Sequence, residues 1–549
     1  MLMLFAMAAL LATAPPEPPA DLVLLSAKIW TGDAKSPEAE ALAVRDGRIV
    51  AIGMDSAIEK LKGPKTIVVD GKWRRVVPGF IDCHTHMSMG GFDLLALDLR
   101  HTKDGADFTR LLAAYAKTRP AGEWLTDGAW DEKWWTPPVL PTKALLDPAT
   151  GDHPTCLSRG DGHAMVCNSL ALKIAGVTAA TPTPPGGVIV RDAKGEPTGV
   201  LKDGAMDLVW KFRPARTQAE MLTAMRAAMK NAGKFGVTSV QDLPGDAGDV
   251  PAWAALRDAG EMTVRVNYRP SLSRWEMAKA LQSSMKNDDW LRIGGVKGYM
   301  DGSLGSGTAV MFEDFSDEPG NKGVYAAEAI PLSLIEGHIA GADKAGLQVE
   351  VHAIGDRANS ELLDIYARVA KQNGPRDRRF RIEHAQHLRA VDIPRFAELG
   401  VIASMQPYHA VDDGRWAMNR LGQTRAQGTY AFRTLLDDKA TLAFGSDWSV
   451  APISPILGIA AAVTRRTIDG KNPGGWVPGQ KITVEEALRA YTVSAAYAGV
   501  EEKDKGSLES GKLADFVILA ADPIRAKAEG LEKIEVDTTV VGGRVVYSR

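Results

Sequence analysis

The sequence predicts an α/β protein, a (β/α)8 barrel of the TIM type with an inserted subdomain and a small β-sandwich domain made from both chain ends. Three observations support this prediction. The chain has 549 residues, more than one hydrophobic core usually serves, so we expect one large domain and at least one smaller one. Eight apolar, strand-like runs recur through the middle of the chain, with helix-like segments between several of them. Short strand-like runs with hairpin signals occupy both ends.

The chain starts with a predicted signal peptide and Pro-rich leader, residues 1–21. Its first residues read MLMLFAMAALLATA and are followed by PPEPP, which fits cleavage after Ala14 because the apolar run is short and ends in small residues. The run contains no Lys or Arg, which leaves a misassigned start codon or a short amphipathic segment as alternatives. We expect an exported protein, periplasmic or secreted. Every later apolar run is interrupted well short of ~20 residues, so we expect no stable membrane insertion.

The composition and net charge indicate which kinds of molecule the protein binds. Hydrophobic residues make up 45% and charged residues 24% of the chain, and the formal charge is −3, values typical of ordinary globular proteins that do not attract nucleic acid. We therefore expect a small-molecule substrate and no nucleic-acid partner, and the sequence leaves assembly into a homo-oligomer open. The three cysteines, Cys83, Cys156 and Cys167, are too few for a disulfide scaffold.

Both chain ends are predicted to form one composite β domain, residues 22–78 plus 500–549. The first part contains DLVLLSAKIWTG and ALAVRDGRIVAIG, and Asp46-Gly47 suits a tight hairpin turn. The second part contains KLADFVILAADP and TTVVGGRVVYSR, with Gly542-Gly543 as another hairpin signal. The similar texture of the two ends indicates that they meet in one small sheet domain.

Residues 79–499 are predicted to form the barrel. Its eight strand-like runs are VVPGFIDCHTH, VTSVQDL, TVRVNY, RIGGVKGYMDG, LQVEVHAIGD, RRFRIEHAQH, VIASMQPYH and TLAFGSDWS. The helix-like segments include QAEMLTAMRAAMKNAG, IPLSLIEGHIAGADKAG, NSELLDIYARVAKQ and TVEEALRAYTVSAAYAG. The stretch of about 88–219 between the first two runs is far too long for a strand-to-helix connection, and we interpret it as an inserted subdomain.

Five of the strand-like runs end in a His, Lys or Asp, and in such a barrel those ends share one rim. His84 and His86 are two residues apart on one strand, so both imidazoles point to the same side and can share one metal ion. Cys83 faces the other way, and we favour a buried apolar role for it over a ligand role.

His352, His384 and Asp447 stand at later strand ends. One histidine in such a place is more often a hydrogen-bonded structural residue, but four that converge on one rim are hard to explain structurally. Imidazole clusters of this kind suit zinc and its neighbours. Asp447 can bind the ion and the attacking water; the alternative is a helix N-cap.

Lys297 in GGVKGYMDGS is the least expected residue at this rim. Desolvation and nearby cations favour a neutral amine, which can add carbon dioxide and become an anionic carbamate that bridges two metals. The alternative is a lysine paired with Asp301 or another carboxylate, and the sequence alone leaves both open.

The ordered motifs PGFIDCHTH, VKGYMDGSLGS, VEVHAIGD, RIEHAQ and GSDWSV resemble the amidohydrolase superfamily, in particular the amidohydrolase family 3 branch that includes N-substituted formamide deformylase. The resemblance covers nearly the whole chain after the leader. It implies two divalent ions, with zinc expected: one held by His84, His86 and Asp447, the other by His352 and His384, and carbamylated Lys297 as the bridge. It also implies hydrolysis by a metal-activated hydroxide, with Asp447 as the acid–base residue beside Lys297.

Substrate contacts are expected from the insert and the late barrel loops. The candidates are Trp130, His163, Tyr408, His409, Trp448 and Asp301. Trp134 and Trp135 are interpreted as residues that bury the insert against the barrel. Asp301 and His387 are also candidates for hydrogen bonds behind the ligands.

Three functions are compatible with these residues. The main hypothesis is hydrolysis of a C–N bond in a small amide, N-acyl or cyclic amide compound. An esterase or lactonase could use the same site, because fold and metal set do not determine the reaction. The third hypothesis is a non-catalytic exported binding protein.

Overall fold

The computed structural model describes residues 18–245 and 248–549. The predicted signal peptide therefore lies outside the described residues. Within the described ranges, no helix combines the length and the apolar character that a membrane crossing requires.

Two parallel sheets supply the barrel strands. One contains Phe80–Thr85, Val237–Asp242, Arg265–Tyr268 and Leu291–Ile293, and the other contains Gly295–Tyr299, Gln348–Ala353, Arg381–His384, Ile402–Met405 and Leu442–Phe444. Only Gly294 separates Leu291–Ile293 from Gly295–Tyr299, so the two segments form the fourth of eight strand positions. The eight positions correspond to the eight predicted runs.

Backbone hydrogen bonds link the edges of the two sheets. Lys297 N–H donates to the Pro270 carbonyl over 2.8 Å. At the other seam, Asp447 N–H donates to the His84 carbonyl over 2.7 Å, and His86 N–H donates to the Trp448 carbonyl over 2.7 Å. The strands therefore form a closed ring, an α/β fold of the TIM-barrel type.

Helices follow the strands, and most of them pack against the outside of the ring. They are Gln218–Lys234, Asp249–Asp258, Trp275–Ser284, Leu332–Lys344, Asp356–Asn373, Ile393–Leu399, Pro407–Asp413, Ala417–Ala426, Phe432–Asp437, Pro455–Thr464, Val484–Ala490 and Val493–Ala498. Thr217 and Glu220 form a capping box at the start of the first of these helices, which satisfies backbone donors that the helix leaves free. The last predicted helix is two helices, which are separated at Tyr491 and Thr492.

The chain between the first two barrel strands builds a five-stranded mixed sheet. Its strands are Leu125–Trp130, Thr155–Arg159, Ala164–Cys167, Gly187–Arg191 and Pro197–Asp203. The helices of this stretch are Met87–Asp93, Gly105–Ala116, Lys143–Thr150, Ser169–Ala175 and Asp207–Trp210. A disulfide joins Cys156 to Cys167, which are directly opposed on neighbouring antiparallel strands.

Strands from both chain ends meet in one six-stranded sheet. Leu22–Leu25, Ala41–Arg45, Arg48–Gly53 and Ile67–Asp70 form a separate four-stranded sheet, whereas Lys28–Trp30, Glu38–Ala39, Arg75–Pro78, Phe516–Leu519, Val536–Val541 and Arg544–Ser548 form the shared one. Apolar side chains of both sheets share one core, in which Leu22 and Leu42 pack with Phe516 and Val540. The helix Asp55–Ile58 covers the four-stranded sheet.

Candidate metal centre and substrate pocket

Four imidazoles cluster at the carboxyl ends of the barrel strands. The ring centroids of His84 and His86 are 5.6 Å apart, those of His84 and His384 are 4.8 Å apart, and those of His352 and His384 are 4.5 Å apart. His84, His352 and His384 are almost completely buried. Strand alternation points His84 and His86 toward the barrel axis, while Cys83 packs on the outside with Ala495 and Ala496.

Asp447 joins this cluster from the end of the last barrel strand. Its Oδ1 lies 3.2 Å from His84 Nε2 and 3.5 Å from His86 Nε2. Burial opposes ionisation of Asp447, but His84 and His86 hold the pKa of its carboxyl well below the usual range. The carboxylate is therefore ionised at neutral pH, as a metal ligand or a base must be.

Local backbone conformation turns two of these side chains into the centre. His384 has φ +72° and Asp447 has φ +59°, values in the left-handed region that few non-glycine residues adopt. At His384 the turn breaks the strand alternation, so that both Glu383 and His384 reach the cluster. Alternation along RIEH would point only one of these two neighbours toward the cluster. It therefore does not identify Glu383 as a residue of the site.

The donor set fits a divalent cation. Ligand atoms of His84, His86 and Asp447 all lie within 4.8 Å of one another, and so do those of His384, His409 and Asp447. His384 Nδ1 and His409 Nε2 are buried and find no hydrogen-bond partner in the described part of the chain. Burial lowers the pKa of His86, and it lowers that of His384 further. Neutral imidazoles with free lone pairs are the form that binds zinc-like metals.

Lys297 lies inside the same cluster and is 1% exposed. Its Nζ lies 4.4 Å from the centroid of the Tyr299 ring, and among residues 18–245 and 248–549 no carboxylate forms an ion pair with it. Burial lowers the pKa of its amine, although nearby carboxylates including Glu383 act in the opposite direction. The contacts give no support to the alternative in which Lys297 pairs with Asp301.

Asp301 instead organises the loop beside His352. Its carboxylate accepts the backbone N–H groups of Val310, Ile354 and Gly355 over 2.8, 3.0 and 2.8 Å. Its Oδ1 is 3.5 Å from His352 Nε2. Asp301 therefore lies behind a candidate ligand, as the hydrogen-bonding role predicts.

A network of buried charged side chains fixes the orientation of the His84 ring. Glu383 Oε2 lies 2.6 Å from His84 Nδ1, and Arg381 contacts the same carboxylate over 2.7 Å. Arg381 also pairs with Glu350 over 3.0 Å, and Glu350 pairs with Arg269 over 3.3 Å. Burial raises the pKa of Glu383, but Arg381 and His84 together lower it to about 2. The ionised carboxylate orients the imidazole, and such a partner tunes a metal ligand.

Two chambers open from the metal centre. The larger chamber has a volume of about 770 Å³ and is lined by residues that include His86, Lys297, Tyr299, Glu328 and Trp210. The smaller chamber has a volume of about 150 Å³ and is lined by residues that include Trp134, Tyr408, His409, Arg415 and Trp416. His163, His384 and Asp447 line both chambers, so a substrate bound at the centre can extend in two directions.

His163 is held at the junction of the two chambers by Asp203. Nδ1 of His163 lies 2.6 Å from Asp203 Oδ1, and its ring centroid is 5.1 Å from that of His352. Burial opposes protonation of His163, but Asp203 and Asp161 raise its pKa to about 9. An imidazolium here can donate a hydrogen bond to substrate.

The tip of one insert hairpin docks directly on the barrel. Asp161 accepts hydrogen bonds from the hydroxyls of Ser303 and Ser306 over 2.7 and 2.8 Å. Arg159 forms an ion pair with Asp161 over 2.6 Å. Sequence reasoning missed Arg159, Asp161 and Asp203 because no periodicity relates the insert to the barrel loop.

Two tryptophans predicted to contact substrate do not line either chamber. Trp130 is completely buried in the core of the insert, where its indole N–H donates to the Leu157 carbonyl over 2.8 Å. Trp448 packs with Met87 in the barrel core, and its ring fills the space beside Gly90. Both indoles contribute apolar area to a core instead of lining a chamber.

The other aromatic and histidine residues singled out in the sequence divide between the chamber walls and buried positions. Trp134 lines the smaller chamber, whereas Trp135 is buried in the insert core. Tyr408 and His409 do face the smaller chamber, but from a helix, because Pro407 ends the strand and begins Pro407–Asp413. His387 contacts Thr429 over 3.0 Å and Gln386 over 3.2 Å.

A parallel barrel whose strand ends gather imidazoles and a carboxylate around a deep pocket defines the class of metal-dependent barrel hydrolases. Comparison with known proteins agrees. The amidohydrolase family matches residues 68–547, and the chain belongs to this family. The predictions of this family and of an enzyme that hydrolyses carbon–nitrogen bonds are confirmed.

Relatives match along nearly their whole lengths. "Protein LONG AFTER FAR-RED 3" of Arabidopsis thaliana is 38% identical over 96% of this chain and 92% of its own. The N-substituted formamide deformylase of Arthrobacter pascens is 27% identical over 96% of this chain and 98% of its own. A crystal structure of an uncharacterized metal-dependent hydrolase from Pyrococcus horikoshii OT3 superposes with a TM-score of 0.74 and 26% identity, covering 92% of this chain and 99% of that one.

Proposed function

We propose that this protein hydrolyses a C–N bond in a small amide, N-acyl or cyclic amide compound with the help of two divalent ions, zinc being the expected metal. The observation that carries the proposal is the convergence of four imidazoles, Asp447 and Lys297 at the carboxyl ends of the barrel strands, where Lys297 and three of the imidazoles are buried. The N-substituted formamide deformylase among its relatives supports the C–N bond.

The ligands divide into two groups. His84, His86 and Asp447 would hold one ion, and His352 and His384 would hold the other. Lys297 would bridge them as a carbamate. Its burial and its freedom from carboxylate partners support this role, since a neutral amine is required for carbamate formation.

When bound, the ions supply Lewis-acid chemistry that acidifies water and polarises a carbonyl group. The protein's own side chains transfer protons and orient the substrate and the metal ligands. Asp447 accepts a proton from the attacking water at its carboxylate and returns it to the leaving nitrogen. His163 donates a hydrogen bond from the junction of the chambers, where Asp203 keeps it protonated. Glu383 holds the His84 ring so that its Nε2 faces Asp447.

A metal and substrate screen tests this proposal. Purified enzyme should contain about two zinc-like ions per chain and lose activity on chelation. A panel of formamides, N-acyl amino acids, cyclic amides, esters and lactones should show turnover of the C–N compounds. A fully folded, metal-free protein that hydrolyses none of them would refute it.

We also propose that the protein is exported. The disulfide between Cys156 and Cys167 supports this proposal, because disulfides persist mainly in oxidising compartments. Cell fractionation of the native producer should place the protein outside the cytoplasm, and recovery in the cytoplasm alone would overturn the proposal.

A further inference from the structure

Glu328 is a carboxylate of the larger chamber that the metal centre does not use. It belongs to the short 3-10 helix Ala327–Ala329, beside the barrel strand that carries Lys297 and Tyr299. Its Oε1 accepts the backbone N–H of Tyr299 over 2.5 Å. The loop that carries Glu328 is therefore fastened next to the site of reaction.

The other carboxylates of this chamber are mostly paired. Asp127 binds Arg216 over 2.8 Å, and Asp203 binds His163 over 2.6 Å. Glu328 forms no ion pair with any Lys, Arg or His among residues 18–245 and 248–549. A partly buried carboxylate without a cation is unfavourable, and a cation from a ligand would relieve that cost.

The shape of the chamber fits an extended arm. Its volume of about 770 Å³ far exceeds the space that a formyl or acetyl group needs, and its walls include Met89, Phe92, Met206 and Trp210. An aliphatic chain can pack against these side chains while a polar end group reaches Glu328.

We propose that Glu328 determines substrate specificity by binding an ammonium group on the arm of the substrate that fills the larger chamber. The preferred substrates are then N-acyl or N-formyl derivatives of diamines, or compounds of the same chemistry. This inference rests on the proposed hydrolase function, and the tests below separate the two.

Binding of a simple amine and of its matched alcohol tests Glu328 without turnover. The probes are pentylamine and 1-pentanol, which have the same length, and only pentylamine carries an ammonium. Isothermal titration of the metal-loaded wild type should show about 10-fold tighter binding of pentylamine. In Glu328→Gln the preference should fall to about 1, because the amide still accepts the Tyr299 N–H but carries no charge.

Three controls complete the binding test. Glu313→Gln removes the same charge from an exposed side chain and should keep the preference, as should Asp207→Asn, which removes another carboxylate of the chamber. Glu328→Asp keeps the charge and should restore part of the preference. An unchanged preference in Glu328→Gln, or its loss in Asp207→Asn alone, would overturn the proposal.

Hydrolysis of N-formyl-1,4-diaminobutane and N-formylpentylamine separates the two proposals. Faster turnover of the diamine derivative, lost in Glu328→Gln through a higher KM, supports both. Turnover without discrimination upholds the hydrolase and overturns the role of Glu328. Pentylamine binding that depends on Glu328 without any turnover upholds the role of Glu328 and counts against the hydrolase.

Discussion

Replacing Glu383 by Gln should weaken metal binding at the site that contains His84 while the barrel stays folded. The carboxylate lies 2.6 Å from His84 Nδ1 and is completely buried. Loss of such a supporting partner typically lowers metal affinity by about 10–100-fold, or about 1.4–2.7 kcal/mol. In this variant Arg381 still forms its ion pair with Glu350 over 3.0 Å. The loss of folding free energy should therefore stay below the ~3–5 kcal/mol that leaving a buried charge without any partner costs.

The assay is competition for zinc between the enzyme and a chelator of known affinity, with thermal unfolding of the metal-free protein in parallel. Glu501→Gln is the matched control, because Glu501 is another buried carboxylate, paired with Lys505 over 2.9 Å and Asn267 over 3.0 Å. It should lower stability without changing zinc affinity. If Glu383→Gln retains zinc within about twofold of wild type, or if Glu501→Gln loses as much, the orienting role of Glu383 is wrong.

Three further predictions follow from the same contacts. Lys297→Ala should lower the metal content by at least one ion per chain, measured by mass spectrometry of metals, whereas Lys505→Ala should not; unchanged content in Lys297→Ala would refute the bridge. Because the folded pKa of His163 is raised to about 9 above the unfolded value of about 6.5, its stabilising contribution should be complete below pH ~6.5 and vanish as pH rises through ~9. The difference in unfolding temperature between metal-free wild type and His163→Gln should shrink over that window, and a constant difference would contradict it. Replacing both Cys156 and Cys167 by Ser should destabilise the insert by about 3 kcal/mol, from the chain entropy of a short closed loop, without changing metal content; denaturant unfolding with no shift would count against it.

The strand ends of the barrel were predictable from the sequence. Alternation along a strand is a local property, so the pair His84 and His86 and the outward position of Cys83 follow from spacing alone. The ends of parallel strands meet at one rim, which is why His352, His384 and Asp447 could be assigned to the same site before their distances were known.

The support of the site was not predictable in the same way. Glu383 reaches His84 across 299 residues of chain, and only because His384 adopts a left-handed φ. Asp161 reaches Ser303 across 142 residues, from an insert whose placement on the barrel has no periodic signature. Trp130 has the same residue type as a pocket aromatic, but its burial depends on which face of its sheet meets the insert core.

By itself, the sequence determined the α/β barrel class and the residues that stand at the ends of the barrel strands, because these depend on local periodicity and on the order of motifs. Only the tertiary structure decided which charges are paired, which aromatics face the chambers and which carboxylates of the larger chamber remain without a cation. Those properties depend on register and packing between distant segments. A shift of one residue in register, or a change in one dihedral angle, can move a side chain from a buried contact to the wall of a pocket.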